Sequence, residues 1–261
     1  MQIAIITVAG ISSRFNQGIE ECGKKLKAIY YEEDPSHTLL FHMIKKCSFA
    51  DKIIIVGGYK YEDLCSYIEK YIPESVRSRI ITVFNDHYSD LPTGYSLYCG
   101  IAEAMKYKDA GIKGIVFAEG DLDVDDEGFG AVAGSEKTVF TYNHDVIRSN
   151  KAVVLYQNAD GEYRYAFNSN HGLLKLEEAF SCIYNSGQIW RFHDVGKLQS
   201  AVEKYLKNDV ETGTNLRIIE YYAEGLDPND VSIIGFNRWV NCNTREDFGD
   251  ILKGWLSECE S

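Results

Sequence analysis

Small and basic residues cluster directly after the first apolar segment of the chain. The segment IAIITV (residues 3–8) is followed by a turn of small residues that ends in an arginine: Ala9, Gly10, Ile11, Ser12, Ser13 and Arg14. Lys24, Lys25 and Lys27 follow soon after. Backbone N–H groups and hydroxyls of such a turn suit phosphate oxygens, and a guanidinium adds a forked cationic donor. The pattern predicts a phosphate-binding loop, although the same residues also suit a turn that binds nothing.

Carboxylates follow a second apolar segment, in FAEGDLDVDD (residues 117–126). If that segment is a strand, Glu119, Asp121 and Asp123 lie at or just beyond its carboxyl end. Carboxylates there are well placed to bind a divalent cation that bridges substrate phosphates. The alternative is a solvated acidic loop.

A third candidate segment lies between these two, in NDHYSDLPTGYSLYCGI (residues 85–101). Thr93 and Gly94 are predicted to open an amphipathic helix, and there they can present backbone groups to a base or a phosphate. The alternative is a purely structural helix cap, since threonine is a good N-cap residue.

The elements that must position these groups alternate between β-rich and amphipathic segments. Apolar runs such as KIIIVGGY (residues 52–59) predict central strands of a mostly parallel sheet covered by helices. After about residue 130 the strands shorten and NADGE predicts a hairpin turn, so the second half is expected to be more antiparallel. Later elements are predicted as helices over 197–206, 216–224 and 246–256 and a strand at VSIIGF.

Composition narrows the classes of function. The 261 residues carry a formal charge of −12, which argues against a broad electrostatic grip on nucleic acid or an anionic membrane. The seven cysteines include no Cys-x-x-Cys pair, which favours reduced thiols over a disulfide framework or a zinc site. No apolar run is long enough for a membrane span and no basic secretion flank is present, so a cytoplasmic location is expected.

The order of these motifs resembles a known family, the nucleotidyltransferases with a Rossmann-like, GT-A-type fold, which include sugar-phosphate and choline-phosphate nucleotidyltransferases. TVAGISSRF (residues 7–15) is similar to the family pattern L-A-A-G-x-G-[ST]-R-[LF], with Ser12 at the usual second glycine. The family's lysine opens a short strand, which favours Lys27 in KAIYY, whereas Lys24 matches the usual distance from the arginine. EGDLDVD matches the metal aspartate at Asp121, and VNCNTREDF places Asn243 at the second metal ligand.

The resemblance covers most of residues 1–130 and returns at 237–250. It implies one domain over residues 1–261, with a nucleotide-binding half (1–130), an acceptor-binding portion (131–236) and a returning strand and C-terminal helix (237–261). The fold class expected is α/β, a mostly parallel Rossmann-like sheet flanked by helices, with a smaller mixed or antiparallel portion in the second half.

The resemblance also implies a reaction. An acceptor phosphate attacks the α-phosphorus of a nucleoside triphosphate, CTP favoured, and pyrophosphate leaves. Arg14 and the amides of residues 10–13 would hold the β- and γ-phosphates, Lys27 would neutralise the α-phosphate, and Asp121 with Asn243 would bind Mg²⁺. Thr93, Gly94 and Glu119 are expected to contact the nucleotide.

The acceptor is predicted less sharply. Aromatic segments of the middle third, YRYAF, SGQIWRF and EYYAEG, together with Glu178, Glu211 and Glu220, would suit a choline-phosphate-like compound, although such rings are more often core residues. Arg191 and Lys151 could meet the phosphate of that compound or of a sugar phosphate. Two other functions stay open: a glycosyltransferase that uses Asp121-Leu122-Asp123 to hold a nucleotide sugar, and a nucleotide-binding regulatory protein.

Overall fold

The computed structural model describes the backbone of residues 1–168 and 172–259 and side chains up to residue 257. Within these residues the strands are β1 (Gln2–Thr7), β2 (Lys52–Gly57), β3 (Ile80–Phe84), β4 (Gly114–Glu119), β5 (Leu122–Val124), β6 (Thr138–Asn143), β7 (Val154–Asn158), β8 (Tyr163–Ala166), β9 (Phe180–Phe192), β10 (Val231–Phe236) and β11 (Trp239–Asn241). The α-helices are α1 (Leu39–Lys46), α2 (Tyr61–Tyr71), α3 (Glu74–Arg77), α4 (Thr93–Met105), α5 (Asp126–Gly134), α6 (Val195–Asn208), α7 (Asn215–Ala223) and α8 (Arg245–Cys259).

One large sheet organises the chain, in the order β10-β6-β9-β4-β1-β2-β3. Strands β3, β2, β1 and β4 are mutually parallel, as their continuously apolar sequences predict. Strand β9 is antiparallel to β4, β6 and β7, and β7 forms a hairpin with β8 around the predicted NADGE turn. The predicted fold class, parallel in the first half and mixed in the second, is therefore confirmed.

Apolar clusters cover both faces of this sheet. One packs α1, α2 and α5 against alternate residues of β1 and β2, such as Ile6 and Ile55. The other packs α4, α6 and α7 against the opposite residues, such as Ile5 and Ile54. Because both faces are covered, the polar ends of the parallel strands are where a ligand can reach the sheet. The predicted helices over 197–206 and 216–224 correspond to α6 and α7. Helix α6 extends two residues beyond the prediction at each end, and α7 begins and ends one residue earlier than predicted.

A small second sheet brings the C-terminal segment back to the first half of the chain. Strands β5 and β11 pair antiparallel, with Asn241 opposite Leu122. Beyond the last pair, the N–H of Cys242 donates to the carbonyl of Asp121 at 2.8 Å. Residues 242–243 therefore lie beside the carboxylate that follows β4. The single-domain organisation remains a prediction, which the shared sheet supports.

One local expectation is wrong. Lys27 does not open a short strand but begins a 3₁₀ turn, Lys27–Ile29. The amides of Ile29 and Tyr30 bond to the carbonyls of Leu26 and Lys27, three residues earlier, rather than to a neighbouring strand. Leu26 and Ala28 are nevertheless buried, so the segment is anchored on both sides of Lys27.

No helix among the described residues combines the length and hydrophobicity that crossing a membrane requires. The six cysteines with described side chains are all free thiols, and the side chain of Cys259 lies outside the described part.

Candidate nucleotide site

A cavity of about 250 Å³ opens at the carboxyl ends of β1 and β4. It is lined by residues 7–15, 26–28 and 119–121 and by Thr93, Ser96, Asn215 and Asn243. Of the residues that the family resemblance assigns to the nucleotide and the metal, all except Lys24 and Gly94 therefore line this cavity. Gly94 is buried instead in the packing of α4, where an added Cβ would lie 2.5 Å from the carbonyl oxygen of Gly213.

The loop after β1 is held in shape by its own polar side chains. Ser12 has a φ of 54°, in the left-handed region, at the position where the family pattern has glycine. Its Oγ accepts a hydrogen bond from the backbone N–H of Lys27 at 3.3 Å. Asn16 is buried and donates to the carbonyls of Ser12 at 3.0 Å and of Lys25 at 2.8 Å. The serine thus keeps the conformation of a glycine and ties the loop to the lysine segment.

Arg14 supplies the loop's cation. Its side chain is exposed at the cavity, and no ion pair joins it to any carboxylate in the described part of the chain. In a protein of net charge −12, an unpaired guanidinium beside backbone amides is a local attraction for phosphate.

The two candidate lysines have different surroundings. Lys27 Nζ lies in the cavity, 2.7 Å from Asp121 Oδ2 and 2.9 Å from the carbonyl oxygen of Cys242. Lys24 lies outside it and pairs with Glu21 at 2.6 Å on the surface. Lys27 therefore joins the first and last segments of the chain at the site, and Lys24 does not.

Asp121 has one oxygen in use and one available. Its Oδ2 accepts from Lys27, whereas its Oδ1 is buried and has no hydrogen-bond partner among the described residues. A buried carboxylate oxygen without a partner is costly unless a ligand completes it. This is the feature expected of an oxygen that coordinates a cation.

Asn243 is fixed by the start of α8. Asp247 accepts hydrogen bonds from the N–H groups of Asn243 and Thr244, both at 2.8 Å, and Thr244 Oγ1 accepts from the N–H of Asp247 at 3.1 Å. This reciprocal cap, similar to a capping box, orients the segment before α8. Asn243 is thereby placed on the cavity wall that also contains Asp121.

Asp123 has a different role from Asp121, although only one residue separates them. Its side chain is 3% exposed, forms an ion pair with Arg238 at 3.1 Å, and accepts from Trp255 Nε1 at 3.0 Å. Asp121 lies in the turn before β5, whereas Asp123 lies within β5, where its contacts with Arg238 and Trp255 hold it away from the cavity. The acidic segment is therefore neither a solvated loop nor a paired metal-binding motif.

Glu119 and Asn215 form the remaining wall of the cavity. Asn215 Nδ2 donates to Glu119 Oε1 at 2.6 Å, and Thr93 Oγ1 donates to Asn215 Oδ1 at 3.2 Å. Burial, together with the neighbouring Asp121 carboxylate, raises the pKa of Glu119 to about 8. Thr93 therefore does not cap α4 but joins a chain of polar side chains. Asn215 could not be identified as a site residue from the sequence, because asparagine at the start of a helix usually only caps it.

The donor set suits Mg²⁺ better than a transition metal. The described residues contain no group of three or more His, Cys, Asp or Glu side chains that could hold a metal alone. Mg²⁺ is commonly held by one or two protein oxygens together with substrate phosphates and water. The free Oδ1 of Asp121 and the amide oxygen of Asn243 fit that requirement.

Several solved structures with a similar fold are nucleotidyltransferases. The CTP:phosphocholine cytidylyltransferase from Streptococcus pneumoniae is 16% identical, with 97% of this chain and 98% of that chain covered and a TM-score of 0.61. The inositol-1-phosphate CTP transferase from T. maritima is 15% identical over 95% of this chain and 91% of that chain, with a TM-score of 0.64. A UDP-glucose pyrophosphorylase complexed with UDP-glucose is 11% identical over 99% of both chains, with a TM-score of 0.64.

The coverages and TM-scores show that this chain has the nucleotidyltransferase fold that the motifs predict. No curated protein matches the sequence. A family model matches residues 23–255, a range that includes Lys27, Asp121 and Asn243 and begins after the loop at residues 9–14. The chain therefore belongs to the family described as "Domain of unknown function (DUF6564)".

Proposed function

We propose that this protein is a nucleotidyltransferase that moves a nucleoside monophosphate, CMP in the first instance, from a nucleoside triphosphate to a small phosphorylated acceptor. The observation that carries the proposal is the convergence of Lys27, Asp121 and Asn243 on the loop at residues 9–15. These groups come from distant parts of the chain and line a single cavity. They supply the cations and oxygen ligands that a triphosphate requires.

The transfer needs positioning and charge neutralisation rather than a covalent intermediate. An oxygen of the acceptor phosphate forms a bond to the α-phosphorus, and the bond from that phosphorus to the oxygen bridging to the β-phosphate breaks. Pyrophosphate leaves with the electron pair of that bond. Neither a serine nor a cysteine nucleophile is needed.

Each side chain has a role in this reaction. Arg14 and the amides of residues 10–13 bind the β- and γ-phosphates, where negative charge grows as pyrophosphate departs. Lys27, held at the end of β4 by Asp121, neutralises the α-phosphate. Asp121 and Asn243 would hold Mg²⁺, which supplies further neutralisation of phosphate charge.

Glu119, Asn215 and Thr93 are assigned to the nucleoside, because the loop and the lysine account for the phosphates. Their linked hydrogen bonds present fixed donors and acceptors on one wall of the cavity. CTP is the favoured donor because the motifs resemble those of choline-phosphate nucleotidyltransferases, and two structures of similar fold are named for CTP.

The environment of Asp123 disfavours the glycosyltransferase alternative. An Asp-x-Asp site needs its carboxylates at the metal, whereas Asp123 is buried in contact with Arg238 and Trp255. A regulatory nucleotide-binding protein would use the same loop without turnover.

A pyrophosphate-release screen tests the proposal. Four nucleoside triphosphates are combined with phosphorylated alcohols, amines and sugars in the presence of Mg²⁺, and CTP with one acceptor class is expected to release pyrophosphate. Triphosphate binding without release in any combination would favour the regulatory protein. Turnover of a nucleotide sugar without pyrophosphate release would favour the glycosyltransferase.

A further inference from the structure

A second cavity, of about 700 Å³, adjoins the nucleotide site. It lies between residues 145–153, β9 and β11, and Asn243 lines both cavities. A compound bound there therefore lies next to the side chain assigned to the metal. If the proposed function holds, this is where an acceptor can meet the α-phosphate, so the chemistry of its walls indicates the acceptor.

Uncharged amides form one wall of this second cavity: Asn185, Gln188 and Asn241. Gln188 Oε1 accepts from Asn241 Nδ2 at 3.3 Å, and Asn241 Oδ1 is buried without a partner among the described residues. Asn185 Nδ2 donates to Asn143 Oδ1, so the amide oxygen of Asn185 remains as an acceptor. A hydroxyl group can both donate to such an oxygen and accept from an amide N–H.

Gln188 is held in a conformation that a glutamine rarely adopts. Its φ is 55°, at an irregularity in the pairing of β6 with β9. Left-handed backbone outside glycine is energetically unfavourable and is concentrated at functional sites. The neighbouring Trp239 Nε1 donates to the carbonyl of Gly187 at 2.8 Å and so fastens this bulge to β11. The bulge aims the amide of Gln188 at Asn241 and the cavity.

Two cations lie in the segment that borders the cavity. Arg148 and Lys151 are exposed, and neither pairs with a carboxylate of the described part of the chain. Asp145 is the single carboxylate that lines the same cavity, so the net charge of the lining side chains is positive in an otherwise acidic protein. This charge favours an anionic compound.

The aromatic rings expected around a quaternary ammonium lie elsewhere. Tyr165, Trp190 and Tyr222 are buried in the core, and Trp190 stacks on Phe117 with ring centroids 5.2 Å apart. Of the aromatic residues in the described part of the chain, Trp239 alone lines this cavity. One ring does not form the cage that trimethylammonium groups require.

We propose that the second cavity is the acceptor site and that it selects a phosphorylated compound with several hydroxyl groups, a sugar or polyol phosphate. Asn185, Gln188 and Asn241 bind the hydroxyls, and Arg148 and Lys151 attract the phosphate. Phosphocholine offers the phosphate but not the hydroxyls.

The first test compares acceptors on the wild-type protein with CTP and Mg²⁺. Glucose 1-phosphate or ribitol 5-phosphate is expected to give a kcat/KM for pyrophosphate release at least about tenfold above that of phosphocholine, the ratio that the loss of two hydrogen bonds produces. Equal or better turnover of phosphocholine overturns the acceptor assignment and leaves the nucleotidyltransferase proposal standing. If no acceptor gives turnover, the same compounds are titrated calorimetrically. Binding of only the hydroxyl-rich phosphates would support the acceptor site and refute the proposed reaction. Absence of binding by any of them would refute the acceptor site.

The second test removes single groups. Gln188→Gly keeps a residue suited to positive φ while deleting the amide, and it is expected to raise KM for the acceptor about 2- to 12-fold with little change in KM for CTP. Gln188→Asn, which retains an amide, is expected to recover part of the loss. Lys151→Gln should raise the acceptor KM, whereas Lys207→Gln, an exposed lysine in the last turn of α6, should not. An unchanged acceptor KM in both Gln188→Gly and Lys151→Gln, with unchanged melting temperature, refutes the assignment.

Discussion

Replacement of Lys27 by alanine distinguishes a catalytic lysine from a structural one. Lys27 Nζ contacts Asp121 Oδ2 at 2.7 Å and Cys242 O at 2.9 Å, in a cavity where the triphosphate is proposed to bind. Loss of one preorganised electrostatic contact at a transition state typically lowers kcat by about 10²- to 10³-fold. We expect that loss for Lys27→Ala with CTP and its acceptor at saturation.

The same substitution has a smaller effect on stability. The paired side chains are 19% and 22% exposed, so water already screens the ion pair in part. Breaking a fully buried pair costs about 3–5 kcal/mol, and screening at this exposure reduces the expected loss to about 1–2 kcal/mol. Chemical denaturation measures that loss independently of turnover.

Lys24→Ala is the matched control. Its pair with Glu21 lies on the surface, where ion pairs contribute about 0–1 kcal/mol, and its ammonium lies outside the cavity. Because Lys24 does not line the cavity, turnover of Lys24→Ala is expected to stay close to that of wild type.

The magnesium dependence separates the two roles of Lys27. Removing the ammonium frees Asp121 Oδ2, so the Mg²⁺ concentration for half-maximal activity should fall or stay constant while kcat falls. The reverse ranking of the two lysines, or a loss of kcat in Lys27→Ala that tracks only unfolding, would refute the assignment of Lys27 to the α-phosphate.

Other substitutions test the remaining groups of the site. Arg14→Ala should weaken triphosphate binding by about 10- to 150-fold in calorimetry, the range for a hydrogen-bonded charge, and unchanged affinity would remove the phosphate role of the loop. Asp121→Ala should abolish metal-dependent turnover, since Mg²⁺ requires anionic oxygen ligands, and residual Mg²⁺-stimulated activity would contradict the metal assignment. Asn243→Asp should retain activity, and Asn243→Ala should raise the Mg²⁺ concentration needed for half-maximal activity. If the alanine variant and wild type show the same dependence of activity on Mg²⁺ concentration, Asn243 is excluded as a ligand. Ser12→Ala should destabilise the protein by about 1 kcal/mol in denaturant titration, because it keeps the left-handed backbone and loses the bond to Lys27, whereas Ser12→Gly should be close to neutral. A Ser12→Ala variant as stable as wild type would show that the hydroxyl is unimportant, and equal stability of the two variants would show that the left-handed backbone is unimportant.

Much of the phosphate side of the site could be predicted from the sequence. Residues that follow parallel strands all lie at the same edge of the sheet, so Arg14 after β1 and Asp121 after β4 could be expected at that edge. The family resemblance predicted Asn243 as a second metal ligand. Its approach to Asp121 depends on the pairing of β11 with β5. Strands of three residues leave little pattern in a sequence.

The acceptor side could not be predicted in the same way. Aromatic and acidic residues of the middle third suggested a pocket, but strand alternation turns Tyr165 and Trp190 into the core. Arg191, a candidate for the acceptor phosphate, is 3% exposed and donates to Gln2 and to the carbonyl of Ala133. Its role is structural, so that assignment is wrong. Lys151, the other candidate, does border the second cavity.

The difference between the two sides has a physical origin in how each wall is built. Phosphates are bound by backbone amides and cations, whose residue types and order along the chain are restricted and so leave a readable motif. The second cavity is walled by amide side chains whose positions depend on a bulge at Gln188 and on the pairing of β11, features set by tertiary contacts. Asn185, Gln188 and Asn241 are ordinary polar residues until the sheet brings them together. Under the proposed function, a change of acceptor would therefore require substitutions only at such positions, with the loop and Asp121 unchanged.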